Sequence, residues 1–289
     1  MGKEKLGKEW NSPAIYRGEL EKFIAMVNKN KRRSKNRKYS LNEILETTEL
    51  KEIKIPELAK IDQASLLSEK EWLKFSETFT YNTNMIEGAS ISKRQVSGIL
   101  RNDKLPANIE EWEIHETYGV ADALKYIRDI RSHFSVKLVT DLHNIVFKNS
   151  KSFAGKLRSK GIEVVIKNER GNILHKGAPS KKVIQLLQET KQWYNINKDK
   201  YNPLVLTAVI HNQFENIHPF QDGNGRIGRL LLNNILMKHD LAPVNIEYTR
   251  RTEYYSALKQ YQDYGEILPM IELIQKGYNP DKTFVLNSD

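Results

Sequence analysis

Apolar residues recur at helical spacing through most of the chain. Trp72, Phe75, Phe79 and Ile86 share a face behind a capping box formed by Ser68 and Glu71, and Ser92 with Gln95 makes a second box ahead of Ile99 and Leu100. Further amphipathic stretches run over about 110–130, 136–147, 181–194, 251–261 and 269–274. Asn202-Pro203 is a cap and first-turn pair, and the helix it opens carries Leu206, Ile210 and Phe214 at four-residue steps. One segment reads as strand. Glu163 to Lys167 is β-branched, and a Gly171-Asn172 turn precedes Ile173, Leu174 and His175. The pattern predicts an all-α helical bundle with one β-hairpin, over about 162–176.

With 289 residues and no cysteine, the chain is long enough for a substantial core without covalent staples. Disulfides, Cys-ligated zinc, iron–sulfur clusters and a cysteine nucleophile drop out. Met1 to Trp10 is charged and lacks an apolar signal region, Leu6 breaks the myristoylation pattern that Gly2 opens, and no apolar run is long enough to span a membrane. The expectation is a soluble cytoplasmic protein without a membrane partner. The net charge is 46 − 36 = +10, and residues 1–40 alone hold 12 Lys and Arg against 4 Glu. The run from Lys29 through Lys31, Arg32, Arg33, Lys35, Arg37 and Lys38 contains no aromatic. It reads as a solvated connector rather than a nucleic-acid surface.

Chemistry concentrates after the Phe214 helix, in His218-Pro219-Phe220-Gln221-Asp222-Gly223-Asn224-Gly225-Arg226-Ile227-Gly228-Arg229. Gly223-Asn224-Gly225 presents backbone N–H groups at a helix start, an anion seat of the kind that takes phosphate. Arg226 and Arg229, three apart on the first turn, are expected to point to one side and to take phosphate oxygens bidentately. Asp222 is a hard oxygen ligand suited to Mg²⁺ shared with substrate phosphates. His218 titrates near neutrality and is the candidate general base, while Phe220 anchors the loop. Together these groups suit transfer of a phosphorus-centred group from a nucleotide. A Gly-rich turn with ordinary surface arginines is the plain alternative, and the density of these groups within one short segment weighs against it.

The segment matches His-x-Phe-x-(Asp/Glu)-Gly-Asn-Gly-Arg-x-x-Arg and thereby resembles the Fic-domain family, over roughly 70–245 by the order of elements. The resemblance implies a Fic fold that moves AMP from ATP to a protein Ser, Thr or Tyr hydroxyl, with pyrophosphate leaving. By that likeness His218 deprotonates the hydroxyl and Asp222 holds Mg²⁺. Gly223, Asn224 and Gly225 then grip the phosphates, with Arg226 and Arg229 on the β and γ groups. The hairpin becomes a flap on which a target segment docks as an added strand along Val164, Val165 and Ile166. Pro179 is followed by Ser180 where the family often has a second proline. The expected layout is an N-terminal basic, helical extension over 1–65, a Fic domain over 66–245 and C-terminal helices over 246–289.

Thr83-Asn84-Met85-Ile86-Glu87-Gly88 resembles the family's inhibitory motif, (Ser/Thr)-x-x-x-Glu-(Gly/Asn), on a helix over about 69–88. Continuing the wheel from Trp72 brings Thr83 within about 20° and Glu87 within about 60° of the apolar side. A carboxylate there needs a partner. The resemblance names Arg229, with Gly88 as C-cap. Autoinhibition within the chain is expected.

Other readings remain open on sequence. The same pocket run in reverse, with Glu87 aligning water, gives de-AMPylation; UMP or phosphate transfer needs only a different donor. A regulatory nucleic-acid binder with a dormant Fic site is a rival of another class. An unidentified target protein is the expected partner, with self-modification of an exposed Tyr or Ser and a homodimer as further expectations. His115, His133, His143, His175 and His239 have no partner that spacing identifies, and His211 and Glu215 make no zinc pattern. Trp112 and the tyrosines at 248, 254, 255, 261 and 264 read as packing.

Overall fold

Helix α1 spans Leu41–Leu45, α2 Glu69–Ile86, α3 Lys93–Asn102, α4 Glu111–Asp129 and α5 Val136–Phe147. A hairpin of β1, Val165–Lys167, and β2, Ile173–Lys176, follows. Then come α6 Val183–Asn197, α7 Pro203–Ile217, α8 Asn224–Lys238, α9 Arg251–Tyr264 and α10 Leu268–Gly277. These elements come from a computed structural model describing residues 39–45, 50, 64, 67–102, 105–167 and 173–278, all within one compact unit, residues 38–289. The basic run over 29–38, most of the expected N-terminal extension, the Gly171-Asn172 turn and residues 279–289 lie outside them.

Local chemistry sets the helix starts. Ser68 N–H donates to Glu71 Oε2 at 2.7 Å while Glu71 N–H donates to Ser68 Oγ at 3.4 Å, so both orphan donors at the head of α2 are satisfied. Ser92 and Gln95 repeat the arrangement before α3. Leu204 N–H donates to Asn202 Oδ1 at 2.9 Å above the first-turn Pro203 of α7.

Every residue of α7 from Leu204 to Ile217 is buried, so this helix has no solvent face and both sides pack. Leu206, Ile210, Phe214 and Ile217 join Ile227, Leu230, Leu231 and Ile235 of α8 in a core closed by α2, α4, α5 and α6. On the other side Leu204, Val205, Ala208 and Val209 meet Leu232 and Leu236, with Leu41, Ile44 and the apolar faces of α9 and α10. Truncating Phe214, which is fully buried, costs about 3–5 kcal/mol. Helices α4 and α5 approach so closely at Gly119 that a Cβ there would lie 2.4 Å from the Val146 carbonyl oxygen. That contact places Glu116 beside Phe147 and the loop after α5.

The strands pair antiparallel, Val165 opposite Lys176 and Ile166 opposite His175, with an irregularity before Lys167. Helix α1, which the hydrophobic pattern does not single out, is held from outside. Ser40 Oγ donates to Glu189 Oε1 of α6 at 2.5 Å, and Asn42 N–H donates to the same oxygen at 2.9 Å.

Candidate active site

Helix α7 ends at Ile217, and His218 takes a left-handed conformation at φ 54°, unusual for a residue with a side chain. A buried arginine holds it there. Arg158 donates from Nε to the His218 carbonyl at 2.8 Å and from Nη1 to Ile162 at 2.9 Å. Its Nη2 donates to the carbonyls of Ile217, at 3.2 Å, and Ala178. Its own N–H donates to Pro219 at 2.9 Å. One guanidinium thus ties the flap, the end of α7 and the loop that follows.

His218 Nδ1 lies 3.3 Å from the Glu215 carbonyl oxygen, which can only accept, so Nδ1 carries the proton and Nε2 keeps its lone pair. Burial holds the imidazole down at about 4, so the ring is neutral at physiological pH. Behind it, Glu215 Oε2 is 3.8 Å from Nδ1, and burial pushes this carboxyl up to about 8.

The loop beyond is built around Phe220 and Asn224. Phe220 stacks on His143 at 3.8 Å, and the Asn224 amide closes on the Phe220 backbone, accepting at 2.8 Å and donating at 3.0 Å. His143 accepts from Gly155 N–H at Nδ1, 2.9 Å, leaving Nε2 to donate to the Asp222 carbonyl at 3.2 Å. Gly223 adopts φ 80°, and a Cβ on it would lie 2.3 Å from the Phe147 ring, so glycine is required twice over. From Asn224 onward the first-turn amides of α8 lack intrahelical acceptors. The Asn224 side chain itself is committed to the loop, so what this residue offers a ligand is its amide.

The two arginines do not lie together, which corrects the expectation that they point to one side. Arg226 reaches α4, pairing through Nη1 with buried Glu116 and lying 4.6 Å over Phe147. Arg229 reaches α2. Its Nε donates to Thr83 Oγ1 at 2.7 Å, and Nη2 donates to the Thr83 carbonyl at 3.1 Å and to Glu87 Oε1 at 2.7 Å. A carboxylate on each neighbouring helix draws its guanidinium apart from the other. Two buried donors, Arg226 Nε and Arg229 Nη1, have no hydrogen-bond partner among the described residues. Glu87 caps α2 ahead of Gly88, which takes φ 91°.

Asp222 pairs with Lys151 at 2.8 Å and accepts from Gly223 N–H at 2.6 Å. Burial opposes its charge, but Lys151 and Arg226 outweigh burial and hold it below its ordinary value. Spacing within the motif gave no sign of Arg158, Glu116 or Lys151, which lie 60 to 110 residues from their partners.

On the flap, Val164 is half-buried and Val165 exposed; Ile166 is placed by its strand register. Ser180 secures the flap's base, donating from N–H and hydroxyl to Glu163 at 3.0 and 2.9 Å and accepting from Gly161 at 2.9 Å. A second proline at this position lacks the N–H that makes the first of these bonds.

Side chains to which the sequence assigns only packing, or no partner, have polar partners. His211 spans the Gly228 carbonyl at 2.9 Å and Tyr254 hydroxyl at 3.1 Å, and Tyr261 donates to Gln213 at 3.0 Å. His133 and His239 flank the Tyr194 hydroxyl at 2.9 and 3.3 Å. His175 lies with its ring 4.9 Å from that of His218, and His115 pairs with Glu111. Trp112 is exposed and stands beside Lys151 at 5.6 Å.

Residues 133–236 match the Fic/DOC family. The chain is 28% identical over 205 residues to a protein adenylyltransferase of Caenorhabditis briggsae named fic-1, covering 68% of this chain and 39% of that one. A protein adenylyltransferase Fic of Nematostella vectensis is 28% identical over 203 residues, covering 68% and 45%. The chain therefore spans about two-fifths of the length of these relatives. Two solved structures share the fold. A Fic-domain signalling protein of Bacteroides thetaiotaomicron has a TM-score of 0.67 at 22% identity, covering 74% of this chain and 88% of its own. The Fic-1 fragment of Caenorhabditis elegans reaches 0.63 at 23% identity, covering 95% and 77%.

Proposed function

From the match of residues 133–236 to the Fic/DOC family, we propose that this chain is an autoinhibited protein adenylyltransferase. It takes ATP as donor and a Ser, Thr or Tyr hydroxyl of a protein as acceptor. The observation that carries the reading is the pair of buried guanidinium donors without partners, Arg226 Nε and Arg229 Nη1, beside the first-turn amides of α8. Buried donors of this kind are costly unless an anion arrives to meet them. A triphosphate is an anion of the right charge and length.

In the proposed reaction the acceptor hydroxyl gives its proton to His218 Nε2. Its oxygen forms a bond to the α-phosphorus, the bond from that phosphorus to the α–β bridging oxygen breaks, and pyrophosphate leaves with the electron pair. A neutral imidazole is the required starting state, and burial keeps His218 neutral. Arg158 fixes the backbone from which the imidazole projects. The first-turn amides and the two arginines orient the phosphates. A divalent cation, when bound, offsets the charge that develops on the phosphate oxygens. Asp222, half-exposed and already facing the cationic Lys151 Nζ at 2.8 Å, is the residue that fits Mg²⁺.

Glu87 supplies the restraint. While it holds Arg229 Nη2, the guanidinium cannot turn both of its terminal nitrogens to the terminal phosphate, and in the proposed brake the α-phosphate is then misaligned for attack. Val164, Val165 and Ile166 form the proposed docking edge for the target segment. The cytoplasm is the proposed location; no described helix is long and apolar enough to cross a membrane.

The test is incorporation of label from ATP marked at the α-phosphate, in a cell lysate with Mg²⁺, by wild type, Glu87→Gly and Glu87→Gly/His218→Ala. Labelled protein is expected with Glu87→Gly alone. No label in any lane would sink the adenylyltransferase reading.

A further inference from the structure

The charged groups around Asp222 form a chain in which each side chain already has a partner. Arg226 pairs with Glu116, Glu116 with Lys151 at 3.4 Å, and Lys151 with Asp222 at 2.8 Å. Glu116 is further held by the Ser150 hydroxyl at 2.9 Å and is almost wholly buried. Its position is fixed, and it tethers both cations. Asp222 is different. Its side chain is 51% exposed and faces the seat, with Oδ1 taken by the Gly223 N–H and Oδ2 by Lys151. Lys151 links the two carboxylates. Its ammonium stands on a four-carbon stem, 22% exposed, between Trp112 at 5.6 Å and Phe147 at 5.9 Å.

We propose that Lys151 is a tethered counter-ion that occupies the cation face of Asp222 until nucleotide phosphates arrive, so that metal and nucleotide enter together. The inference rests on the Mg²⁺ assignment of Asp222 made above. Both Asp222 oxygens are engaged before any metal is present, and a divalent ion approaching Oδ2 meets a positive charge a few ångströms away. Asp222 alone is therefore a poor metal ligand. A triphosphate changes the balance by adding several negative oxygens within reach of the lysine stem. Lys151 then moves to a phosphate oxygen without leaving Glu116, and Asp222 is released to the metal. The two ligands become coupled through one side chain, each improving the site for the other. Lys151 in this role is a positioning residue. It neither takes the hydroxyl proton nor contacts the attacked phosphorus.

A purely structural lysine, serving only to neutralise Glu116, predicts something else. Its removal would lower stability and leave the metal affinity of Asp222 unchanged or reduced. Nucleotide-free Mn²⁺ titration followed by electron paramagnetic resonance separates the two. Wild type, Lys151→Met, Lys151→Arg, Asp222→Asn and Lys151→Met/Asp222→Asn are compared, with a thermal melt of each. Lys151→Met is expected to bind Mn²⁺ at least about fivefold more tightly than wild type, since one competing cation has gone. Lys151→Arg, which keeps the charge and grips a carboxylate with two donors, is expected to bind no more tightly than wild type. The gain must vanish in the double variant. Unchanged or weaker binding by a folded Lys151→Met overturns the proposal, as does a gain that survives Asp222→Asn. If Lys151→Met does not fold, Lys151→Gln is read in its place by the same criteria. None of these readouts uses AMP transfer, so a failure of the adenylyltransferase reading leaves this result intact, and the reverse also holds.

Discussion

Glu87 reaches from the end of α2 to Arg229 in α8, its Oε1 accepting from Nη2 at 2.7 Å, and one guanidinium thereby joins two helices 142 residues apart in sequence. Thr83 completes the grip through Oγ1 to Nε at 2.7 Å. The hydroxyl and the carboxylate hold different nitrogens, so the restraint is divisible. Thr83→Val keeps the shape, removes one hydrogen bond and leaves Glu87 in place. AMP transfer is expected to rise about two- to tenfold over wild type, short of the rise with Glu87→Gly. Equal rates for Thr83→Val and wild type in an α-label incorporation assay would show that Thr83 contributes nothing to the restraint.

In the proposed reaction His218 moves the proton while the first-turn amides of α8, Arg226 and Arg229 orient the phosphates. His218→Ala in the Glu87→Gly background is expected to lower transfer by at least about 100-fold. Calorimetry should find the ATP dissociation constant within about threefold of the parent, because the phosphates are held by other groups. Burial lowers the His218 pKa to about 4, so the base-competent neutral ring persists to that pH. The acid limb of kcat/KM is expected near 4 rather than at the ordinary histidine value; a limb at 6 to 7 would contradict the burial argument.

Much of this fold is legible in the sequence because its helices announce themselves locally. Ser68 with Glu71, Ser92 with Gln95, and Asn202 with Pro203 mark starts that rest on neighbours three residues away or fewer. The glycine-rich motif is legible for the same reason, since Gly223 needs its positive φ within one turn of chain. Side-chain direction is another matter. Arg226 and Arg229 are three apart, yet each turns to a carboxylate on a different helix; the resemblance of Thr83–Gly88 to the inhibitory motif names Glu87 for Arg229, whereas nothing in the sequence names Glu116 for Arg226. Arg158 carries no local pattern at all. Its meaning comes from carbonyls of residues 162, 178, 217 and 218, brought together only by folding. Helix α1 is hidden likewise, one short turn capped by Glu189 of α6.

Arg158 offers a sharp test of that hidden support. Arg158→Met keeps the length and apolar stem but removes the side-chain donor from the carbonyls of Ile162, Ala178 and His218, while Ile217 keeps the Ala178 N–H, and it weakens the hold on the left-handed His218. Stability is expected to fall by on the order of 3 kcal/mol, from buried acceptors left unpaired. In the Glu87→Gly background kcat should fall at least about tenfold while ATP affinity changes little, since the seat at α8 is built by other residues. A loss of ATP binding matching the loss in kcat would mean that Arg158 supports the phosphate seat as well.

Glu215 behaves oppositely to the histidine it backs. Its carboxyl is 4% exposed, Oε1 has no hydrogen-bond partner among the described residues, and burial raises its pKa to about 8. The folded state therefore binds a proton that the unfolded chain, near its ordinary value, releases. The sign follows from linkage: a raised folded pKa contributes stability fully below the unfolded value of about 4.5, and that contribution is lost as pH rises through about 8. Glu215→Gln carries no titrating proton at this position. Its melting temperature relative to wild type is expected to climb between about pH 4.5 and pH 8 and to level off above. A flat difference across that range, measured by calorimetry in matched buffers, would show that Glu215 is already ionised in the folded protein, and that Arg229 then serves two carboxylates at once.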